Sequence, residues 1–356
     1  MPIDESELNN LAEEALKLLT TIIGIPAYSK EEDRRADFLE QYLQSRSYHA
    51  LRIGNNVLSG KPDPTRPIIL LNSHLDTVKP ASTWTKQPHT PIISDGKLYG
   101  LGSNDAGASL VSLLMAYLHL TKQDTPYQLI YAATAEEEIS GQNGIIKVID
   151  HLGPVHLAIV GEPTGMNLAV AEKGLMVIDA TSEGVSGHAA RNEGKNAIYQ
   201  ALDDINTIRN FRFEKISEHL GSTKATVTMI QSGSQHNVIP DTCTFVIDIR
   251  SNELYDNQEI HQLLQSQVQS NLTARSYRLK SSHISMQHPI VQKGLSMGLT
   301  AYGSPTLSDQ ALMPYTSIKI GPGQSSRSHT ADEYITIEEL RHGIQTYITL
   351  LTGLHL

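Results

Sequence analysis

The sequence has 356 residues, with 28 Lys and Arg against 38 Asp and Glu, so its formal net charge is −10. At roughly 150 residues per domain this length predicts about two domains, and the acidic balance excludes nucleic acids and anionic membranes as partners, because both need a basic face. The single cysteine, Cys243, excludes an internal disulfide and a metal site made of several thiolates. The acidic N-terminus and the lack of a run of about 20 apolar residues predict a cytoplasmic protein without a membrane-spanning segment.

Helices and strands alternate in the first half of the sequence. Residues 6–22 carry apolar side chains at helical spacing, and Ser29 with Glu32 forms a capping-box pattern that predicts a second helix to about Gln44. The other expected elements of this part are the strands 67–71, 128–134 and 157–161 and the helices 106–122 and 142–151. The alternation predicts an α/β domain with a mostly parallel central sheet flanked by helices.

The middle of the chain has a different pattern. Its expected elements are the strands 175–181, 224–230 and 244–250 and the helices 194–210 and 257–270. This order indicates a compact α+β unit with four strands and two helices, inserted into the first domain. The chain then continues with a helix over 288–302, a strand over 317–320 and a helix over 336–351. We therefore expect one domain from residues 1–172 and 284–356, and a second from residues 173–283.

A histidine or a carboxylate follows each strand-like run of the first domain or precedes its long central helix. These residues are His74 and Asp76, Asp105, Glu136–Glu138, Glu162 and His329. In open α/β sheets, functional side chains gather where the strands end. A single acidic residue at such a place is usually a helix cap or a solvated loop residue. The prediction of a functional site therefore depends on finding such residues at all five places, and not on any one of them.

The five segments carry many carboxylates and almost no cations, with Arg327 as the exception. Burying carboxylates together is costly unless positive charge compensates them, and one or two divalent metal ions would supply that charge. Two histidines with several carboxylates form a donor set that suits zinc, with cobalt or manganese as substitutes. Because residues i and i+2 share one face of a strand, Asp76 is expected to accept the second ring N–H of His74.

Five motifs, in this order along the chain, resemble those of one known family. They are HLDTV (74–78), GLGSNDAG (100–107), TAEEE (134–138), GEPT (161–164) and SHTADE (328–333). The set is similar to the acetylornithine deacetylase / succinyl-diaminopimelate desuccinylase family of two-zinc hydrolases, which includes aminoacylases and carboxypeptidases. The resemblance implies a zinc-peptidase-like catalytic domain. It also implies that the inserted unit is a ferredoxin-like lid and dimerisation domain.

The resemblance implies a role for most polar residues of the motifs. Five of them would bind two zinc ions per subunit, which cobalt can replace: the bridging Asp105, then His74 and Glu162 for one ion, and Glu138 and His329 for the other. Glu137 would be the general base, and Asp76 would support His74. The family usually has Asp-Glu-Glu where this chain has Glu136-Glu137-Glu138. A slip of one residue, with Glu136 as base and Glu137 as ligand, therefore stays the alternative.

Three residues of the inserted unit match further positions of the family. His188 in SGHAA matches a histidine that reaches into the site of the partner subunit, which implies a homodimer formed through this domain. Asn237 in HNVIPD and Arg250 in VIDIR match positions that hold the substrate carboxylate. Without the resemblance, His188 would be interpreted as a surface histidine beside a glycine turn, and Arg250 equally well as a member of a structural ion pair.

The resemblance implies hydrolysis of the linear amide of a small N-acyl-amino acid. The segment GPGQSSRSHTADEYI (321–335) is most similar to deacylases of the arginine and lysine pathways. The expected reaction is deacylation of N-acetylornithine, or of N-succinylornithine or an N-acylcitrulline, in arginine biosynthesis. Desuccinylation of succinyl-diaminopimelate and dipeptide hydrolysis are alternatives within the family. Two departures from the family pattern, Lys79 before Pro80 and Ala106 after Asp105, concern the substrate and leave the implied ligands intact.

Other functional classes have weaker support. Gly294–Gly298 spells a nucleophile elbow around Ser296, which Asp309 and His329 would complete as a triad. An elbow needs a strand before the serine, whereas Pro289 here begins one continuous helix. Gly100 and Gly102 lack the further glycine that a dinucleotide-binding loop requires. A non-catalytic binding protein on the same fold is also disfavoured, because the implied base and all five implied ligands are present.

Overall fold

The computed structural model describes residues 3–63, 65–191 and 193–356. Residues 1 and 2, with which the first expected domain begins, lie outside the described residues. The helices are α1 (Glu5–Ile23), α2 (Asp33–Ser45), α3 (Ala108–Leu120), α4 (Ile145–Ile149), α5 (Ala197–Asn210), α6 (Asn257–Gln265), α7 (Pro289–Ser296) and α8 (Ile337–Leu351).

The strands are mostly short, and two of the longest belong to the middle of the chain. They are β1 (Ala50–Ile53), β2 (Asn56–Ser59), β3 (Ile68–His74), β4 (Ile92–Ser94), β5 (Lys97–Tyr99), β6 (Gln128–Thr134), β7 (Val155–Val160), β8 (Leu168–Glu172), β9 (Gly174–Glu183), β10 (Gly187–His188), β11 (Ile216–Ser217), β12 (Gly221–Ser222), β13 (Lys224–Ser232), β14 (Val238–Ile239), β15 (Thr242–Ser251), β16 (Asn271–Ala274), β17 (Ser282–His283), β18 (Ala301–Ser304), β19 (Ser317–Lys319) and β20 (Tyr334–Thr336).

The chain forms two compact units. The first unit contains the chain up to Val170 together with His283–Tyr302 and Ser308–Leu356. The second unit contains Ala171–Ser282 and Gly303–Leu307. Among the described residues, no helix is both long and apolar enough to cross a lipid bilayer.

The first unit is built on a nine-stranded sheet in the order β1-β2-β6-β3-β7-β19-β8-β17, with β18 pairing with β8. Its four central strands, β6, β3, β7 and β19, run parallel. Strand β3 is buried along its whole length, and α3 is buried on every side between the sheet and its neighbours α1 and α8. A helix without a polar face needs such a position. The expected α/β class with a mostly parallel central sheet is confirmed.

The second unit has a four-stranded antiparallel sheet in the order β13-β15-β9-β16. Buried and exposed side chains alternate along β9 and β15, as expected of a sheet with one covered face. The covered face packs on α5 and α6 around a separate apolar core that includes Ile178, Phe245 and Ile260. Strand β16 is the fourth strand, which the sequence pattern had not located.

Several expected elements differ in the structure. Helix α2 begins at Asp33, and its N-terminus has no side-chain cap. The capping-box prediction was wrong because Ser29 and Glu32 are both engaged in contacts with distant residues. The expected helix over 288–302 ends at Ser296, since Gly298 adopts a φ of 85° and the chain continues into β18. Strands β1 and β2 were missed.

Candidate metal centre

The predicted site residues of the first unit lie at one edge of its sheet. His74 is the last residue of β3, Glu137 and Glu138 follow β6, and Glu162 follows β7. These strands are parallel neighbours, so their carboxyl ends meet at the same edge. Asp105 lies in an irregular turn before α3, and His329 lies in the loop between β19 and β20. We call these six residues the histidine–carboxylate cluster.

His74 is the centre of one half of the cluster. Its Nε2 atom lies 3.3 Å from Asp105 Oδ1, 3.7 Å from Glu162 Oε1 and 4.0 Å from Glu137 Oε2. Its Nδ1 atom lies 2.9 Å from the main-chain oxygen of Asp76. A carbonyl oxygen can only accept a hydrogen bond, so Nδ1 carries the proton. In neutral His74 the lone pair is therefore on Nε2 and faces the carboxylates, as a metal ligand requires.

His329 is the centre of the other half. Its Nε2 atom lies 2.9 Å from Glu138 Oε2 and 3.6 Å from Asp105 Oδ2. The two oxygens of Asp105 thus face two different histidines, Oδ1 towards His74 and Oδ2 towards His329. A carboxylate placed in this way can bridge two cations, each completed by one histidine and one further carboxylate.

The charges of the cluster are unbalanced without a cation. Burial raises the pKa of Glu162 to about 8, and the nearby Asp105 and Glu138 add to the rise. Burial also raises the pKa of Glu137 well above its usual range, with Glu162, Asp309 and Glu138 contributing. Repulsion of this kind between buried carboxylates is relieved when a cation binds among them.

The histidines show the same excess of negative charge. Burial disfavours a charge on His74, but Glu162, Asp105 and Asp76 together raise its pKa well above the usual range. The hydrogen bond to Glu138 raises the pKa of His329 to about 9. Both shifts have the same cause, the negative charge that surrounds the two imidazole rings.

The residues present fit a divalent metal. Two sets of ligand atoms each lie within 4.8 Å of one another among the described residues: those of His74, Asp105 and Glu138, and those of His74, Glu137 and Glu162. Nitrogen and oxygen donors in such sets suit borderline divalent ions. Glu137, implied as the base, thus lies close enough to the ligands to act beside a bound ion. His329 belongs to neither set but contacts two of their members.

Asp76 contacts the cluster at two places, the His74 ring and the turn after β6. Its carboxylate is 3.5 Å from the His74 ring, whose closer partner is the main-chain oxygen of the same residue. The carboxylate also accepts hydrogen bonds from the main-chain N–H groups of Glu137 and Glu138, at 3.1 and 3.2 Å, and from the hydroxyl of Ser29 at 2.6 Å. Strand β3 ends at His74, so the shared-face argument does not extend to Asp76. Its carboxylate holds the turn that carries two cluster residues.

Glu136 points away from the cluster. It adopts a left-handed conformation with a φ of 56°, and its carboxylate accepts the main-chain N–H and the side-chain amide of Asn143 at 3.2 and 2.8 Å. Its own N–H donates to Glu32. The geometry therefore gives no support to the alternative register with Glu136 as base.

Buried charged residues near the cluster that were not predicted as part of it include, among the described residues, Arg35, Asp309, Lys319 and Glu333. Lys319 was visible in the sequence, because it is the one charged residue of the short strand β19. Its charge lowers the pKa of Glu162, against the effect of burial. Glu333 ends the last motif. Arg35 and Asp309 had no local signal, since the groups that they face are distant in sequence.

The remaining predicted residues belong to the second unit. His188 pairs with Val238 between β10 and β14, and the N–H of the next residue, Ala189, donates to the main-chain oxygen of Asn237 at 3.0 Å. The structure thus brings His188 and Asn237 together. Arg250 forms an ion pair with Asp248, at 2.8 Å, within the same strand.

The serine-hydrolase interpretation has no geometric support. Ser296 is the last residue of α7, and its hydroxyl donates to the main-chain oxygen of Lys293 at 2.7 Å. Asp309 accepts the hydroxyl of Thr134, and His329 is engaged with Glu138. The three residues of the suggested triad therefore have other partners, and the serine lies on a helix rather than on a strand-to-helix turn.

Comparisons with known proteins agree with this geometry. A sequence model of peptidase family M20/M25/M40 matches residues 70–353. Among curated relatives, the succinyl-diaminopimelate desuccinylase of Cereibacter sphaeroides is 24% identical over 271 residues, which are 70% of this chain and 71% of that protein. The acetylornithine deacetylase of Myxococcus xanthus is 26% identical over 299 residues, or 77% of each chain. An uncharacterized metallohydrolase of Methanocaldococcus jannaschii is 25% identical over 346 residues, 93% of this chain and 95% of the other.

Solved structures show the same fold. A tripeptidase from Staphylococcus aureus superposes with a TM-score of 0.74 at 20% identity, covering 96% of this chain and 97% of that one. A dinuclear metal-binding peptidase of the M20 family from Bacillus subtilis superposes with a TM-score of 0.73 at 15% identity, covering 96% and 98%.

Proposed function

The chain belongs to peptidase family M20/M25/M40 and is a metal-dependent amide hydrolase, and from this premise we propose that it removes the acyl group of an N-acyl-amino acid, with N-acetylornithine as the first candidate substrate. The observation that carries this proposal is the placement of Asp105, whose two oxygens face His74 and His329. The similarity to an acetylornithine deacetylase supports the substrate class, and the net charge of −10 suits a cationic amino acid.

The proposed centre holds two zinc ions per subunit, with cobalt as a substitute. Asp105 would serve both ions, His74 and Glu162 would hold one, and Glu138 and His329 would hold the other. When bound, such ions would lower the pKa of a water molecule and polarise the amide carbonyl. Proton transfer is assigned to this chain's own Glu137, which accepts a proton from the attacking water and gives it to the leaving nitrogen. The position of Glu137 supports this role, because its Oε2 atom lies 4.0 Å from Nε2 of His74, beside the residues assigned as ligands.

We further propose a homodimer through the inserted domain, taken as residues 173–283. Strand β13 is an edge of its sheet and exposes Met229 (65%) and Ile230 (53%). Helix α5, which packs on β13, exposes Tyr199 (67%) and Leu202 (49%). An unpaired edge strand beside exposed apolar side chains is typical of an interface. In the dimer His188 would stabilise the oxyanion in the partner subunit's site, while Asn237 and Arg250, released from Asp248, would hold the substrate carboxylate.

The test is amine release from N-acetyl-L-ornithine, N-succinyl-L-ornithine and N-succinyl-diaminopimelate, measured side by side with zinc and with a chelator. Chelator-sensitive release that is fastest from N-acetyl-L-ornithine supports the proposal. A preference for N-succinyl-diaminopimelate, the substrate named by the Cereibacter relative, would reassign the substrate within the family. Release that a chelator leaves unchanged would contradict the assigned centre.

A further inference from the structure

The loop that carries Asp105 is held by a carboxylate from the far end of the chain. Glu333 is 2% exposed and accepts the main-chain N–H groups of Gly102, Asn104 and Asp105 at 2.8, 2.7 and 2.8 Å. Three donors from four consecutive residues thus converge on the two oxygens of one carboxyl group. The loop has little freedom otherwise, since Gly102 adopts a φ of 77° and a Cβ there would lie 2.6 Å from Thr77. The position of Asp105 therefore depends on Glu333.

The turn after β6 is held by the same device. There the Asp76 carboxylate accepts the N–H groups of Glu137 and Glu138. Two of the segments that bring carboxylates into the cluster, the Asp105 loop and the turn after β6, thus each have their own buried carboxylate anchor. Both anchors have their oxygens occupied by main-chain donors, so they act through the turns that they hold.

Arg35 of α2 is a buried cation beside both anchored segments. It is 3% exposed and donates to the main-chain oxygens of Leu75 at 2.6 Å and Ile25 at 2.7 Å. Its Nη1 would lie 3.9 Å from a Cβ placed on Gly102, so it borders the Asp105 loop as well as the residue beside His74. Burial lowers the pKa of Arg35 to about 10, and the charges of Asp76, Glu333 and Glu32 oppose this, so Arg35 stays a cation at neutral pH.

We propose that Glu333 and Arg35 are positioning residues of the metal centre. Glu333 fixes the Asp105 loop by accepting three hydrogen bonds from main-chain N–H groups. The buried positive charge of Arg35 compensates the two anchoring carboxylates, Glu333 and Asp76. The proposal rests on the metal centre proposed above. Since Asp105 lies between both metal positions, a displaced Asp105 loop weakens the binding of both ions rather than of one.

The first test is Glu333→Gln. The amide keeps the shape of the side chain but retains one acceptor and turns an NH₂ group towards a main-chain N–H. We expect affinity for zinc, measured by competition with a chelator, to fall at least tenfold at both positions, in line with other residues that orient metal ligands. The visible absorption of the cobalt-loaded protein should also change, because the ligand geometry around Asp105 changes.

The matched control is Asp204→Asn. Asp204 is likewise buried and accepts the N–H groups of Gln269 and Ser270, at 3.1 and 2.7 Å, but it lies in the second unit on α5. This variant should lower the melting temperature to a similar extent and leave zinc affinity and the cobalt spectrum unchanged. The comparison separates positioning of the metal ligands from a general loss of stability.

Arg35 is tested by Arg35→Met and Arg35→Lys, and these variants also decide the matter if the Glu333 variant does not fold. Arg35→Met should weaken the binding of both ions, and Arg35→Lys, which keeps the charge, should restore part of the affinity. Wild-type affinity in both Glu333→Gln and Arg35→Met would overturn the proposal, provided that Asp105→Ala loses its metal. If Asp105→Ala binds metal as the wild type does, the proposed centre itself is wrong, and the positioning role falls with it.

Discussion

Glu136, Glu137 and Glu138 are consecutive, yet their carboxylates lie in three different environments. Glu136 is bound to Asn143, Glu137 lies 4.0 Å from His74, and Glu138 lies 2.9 Å from His329. The cause is the left-handed conformation of Glu136, which turns the chain directly after β6. Since three adjacent carboxylates point in different directions, their chemical roles follow from the turn and not from the residue type.

Glu137→Gln should separate catalysis from metal binding. The variant keeps the size of the side chain but cannot accept a proton, so we expect kcat to fall by about 10²–10⁴-fold, the usual contribution of a general base. Zinc content should stay at the wild-type value, because Glu137 is assigned as base and not as ligand. Stopped assays of amine release and metal analysis of the same sample check both statements.

Glu136→Gln is the matched control for this experiment. Its carboxylate binds only Asn143 among the described groups around it, so kcat should stay within about threefold of wild type, as for residues that make no contact with the reacting atoms. A large loss of kcat in Glu136→Gln combined with a small one in Glu137→Gln would restore the alternative register.

Asp309 gives a prediction about pH. Burial raises its pKa from the ordinary 3.8 to about 6, although Thr134 and Asn72 donate hydrogen bonds to it. A carboxyl group with a raised folded-state pKa contributes stability that is fully present below about pH 3.8 and is lost as the pH rises through about 6. In metal-free protein, Asp309→Asn should therefore raise the free energy of unfolding at pH 7.5 and do so much less at pH 4.5. Urea denaturation at the two pH values measures this, and an equal gain at both would refute it.

The sequence made some site residues predictable and hid others for a physical reason. His74 ends one buried strand and Glu162 comes two residues after another, and a polar residue in such a position is visible without any structure. Glu333 and the loop that it holds are more than 220 residues apart, so no local pattern could pair them. Ser29 fitted a capping box, but its hydroxyl binds Asp76, which lies 47 residues away. The roles of Glu333 and Ser29 thus depend on hydrogen-bond partners that are distant in the sequence.

The turn between β6 and α4 carries two of the six residues of the cluster, Glu137 and Glu138. Its main-chain N–H groups donate hydrogen bonds to the Asp76 carboxylate, which also accepts a hydrogen bond from the hydroxyl of Ser29. Asp76→Asn retains one acceptor oxygen where the wild type has two, so the turn should lose one of its two anchoring bonds. We expect zinc affinity at the Glu138 position to fall at least tenfold, measured by chelator competition.

Ser29→Ala is the control for this element. It removes only the hydroxyl that donates a hydrogen bond to Asp76. The two hydrogen bonds from the main-chain N–H groups of Glu137 and Glu138 to Asp76 stay in place. The expected cost is about 2 kcal/mol of stability, as for a hydrogen bond to a charged group, with zinc affinity unchanged. If Ser29→Ala weakens metal binding as much as Asp76→Asn does, the carboxylate is not the anchor of the turn.

Long and regular elements were predictable, and short ones were not. Helices α1, α3 and α8 and strands β3 and β6 have clear apolar patterns, and they lie close to the expected ranges. Strands β1 and β2 have four residues each, too few for alternation to be visible. The end of α7 depends on Gly298, whose left-handed conformation stops a pattern that otherwise continues as a helix.

At the scale of the whole molecule, the proposed dimer depends on the edge of the second unit. Met229→Asp places a charge on the exposed edge strand β13, and burying that charge against a partner would be costly. Analytical ultracentrifugation should show a dimer for the wild type and a shift to monomer for this variant. Activity should fall with the loss of the dimer, because His188 would no longer reach a partner.

Ile216→Asp is the matched control, since Ile216 is equally exposed (66%) in the second unit but belongs to the separate hairpin of β11 and β12. It should remain dimeric and active. Dissociation by both substitutions alike would mean that the interface does not lie at β13, and a monomeric wild type would remove the dimer altogether.

The order of strands in the first unit has a consequence for synthesis on the ribosome. Strand β19 lies between β7 and β8 in the sheet. About 155 residues of chain separate it from β7 and about 145 from β8, and they include nearly all of the second unit. Domains fold as units during translation, so the second unit can form while the sheet of the first still has a gap at its centre and two unpaired edges. His329 and Glu333 lie in the loop between β19 and β20. The nascent chain therefore completes its central sheet and its metal centre in one late step. Before that step the unpaired edges of β7 and β8 are exposed and can pair with other chains, so a chaperone would have to protect them.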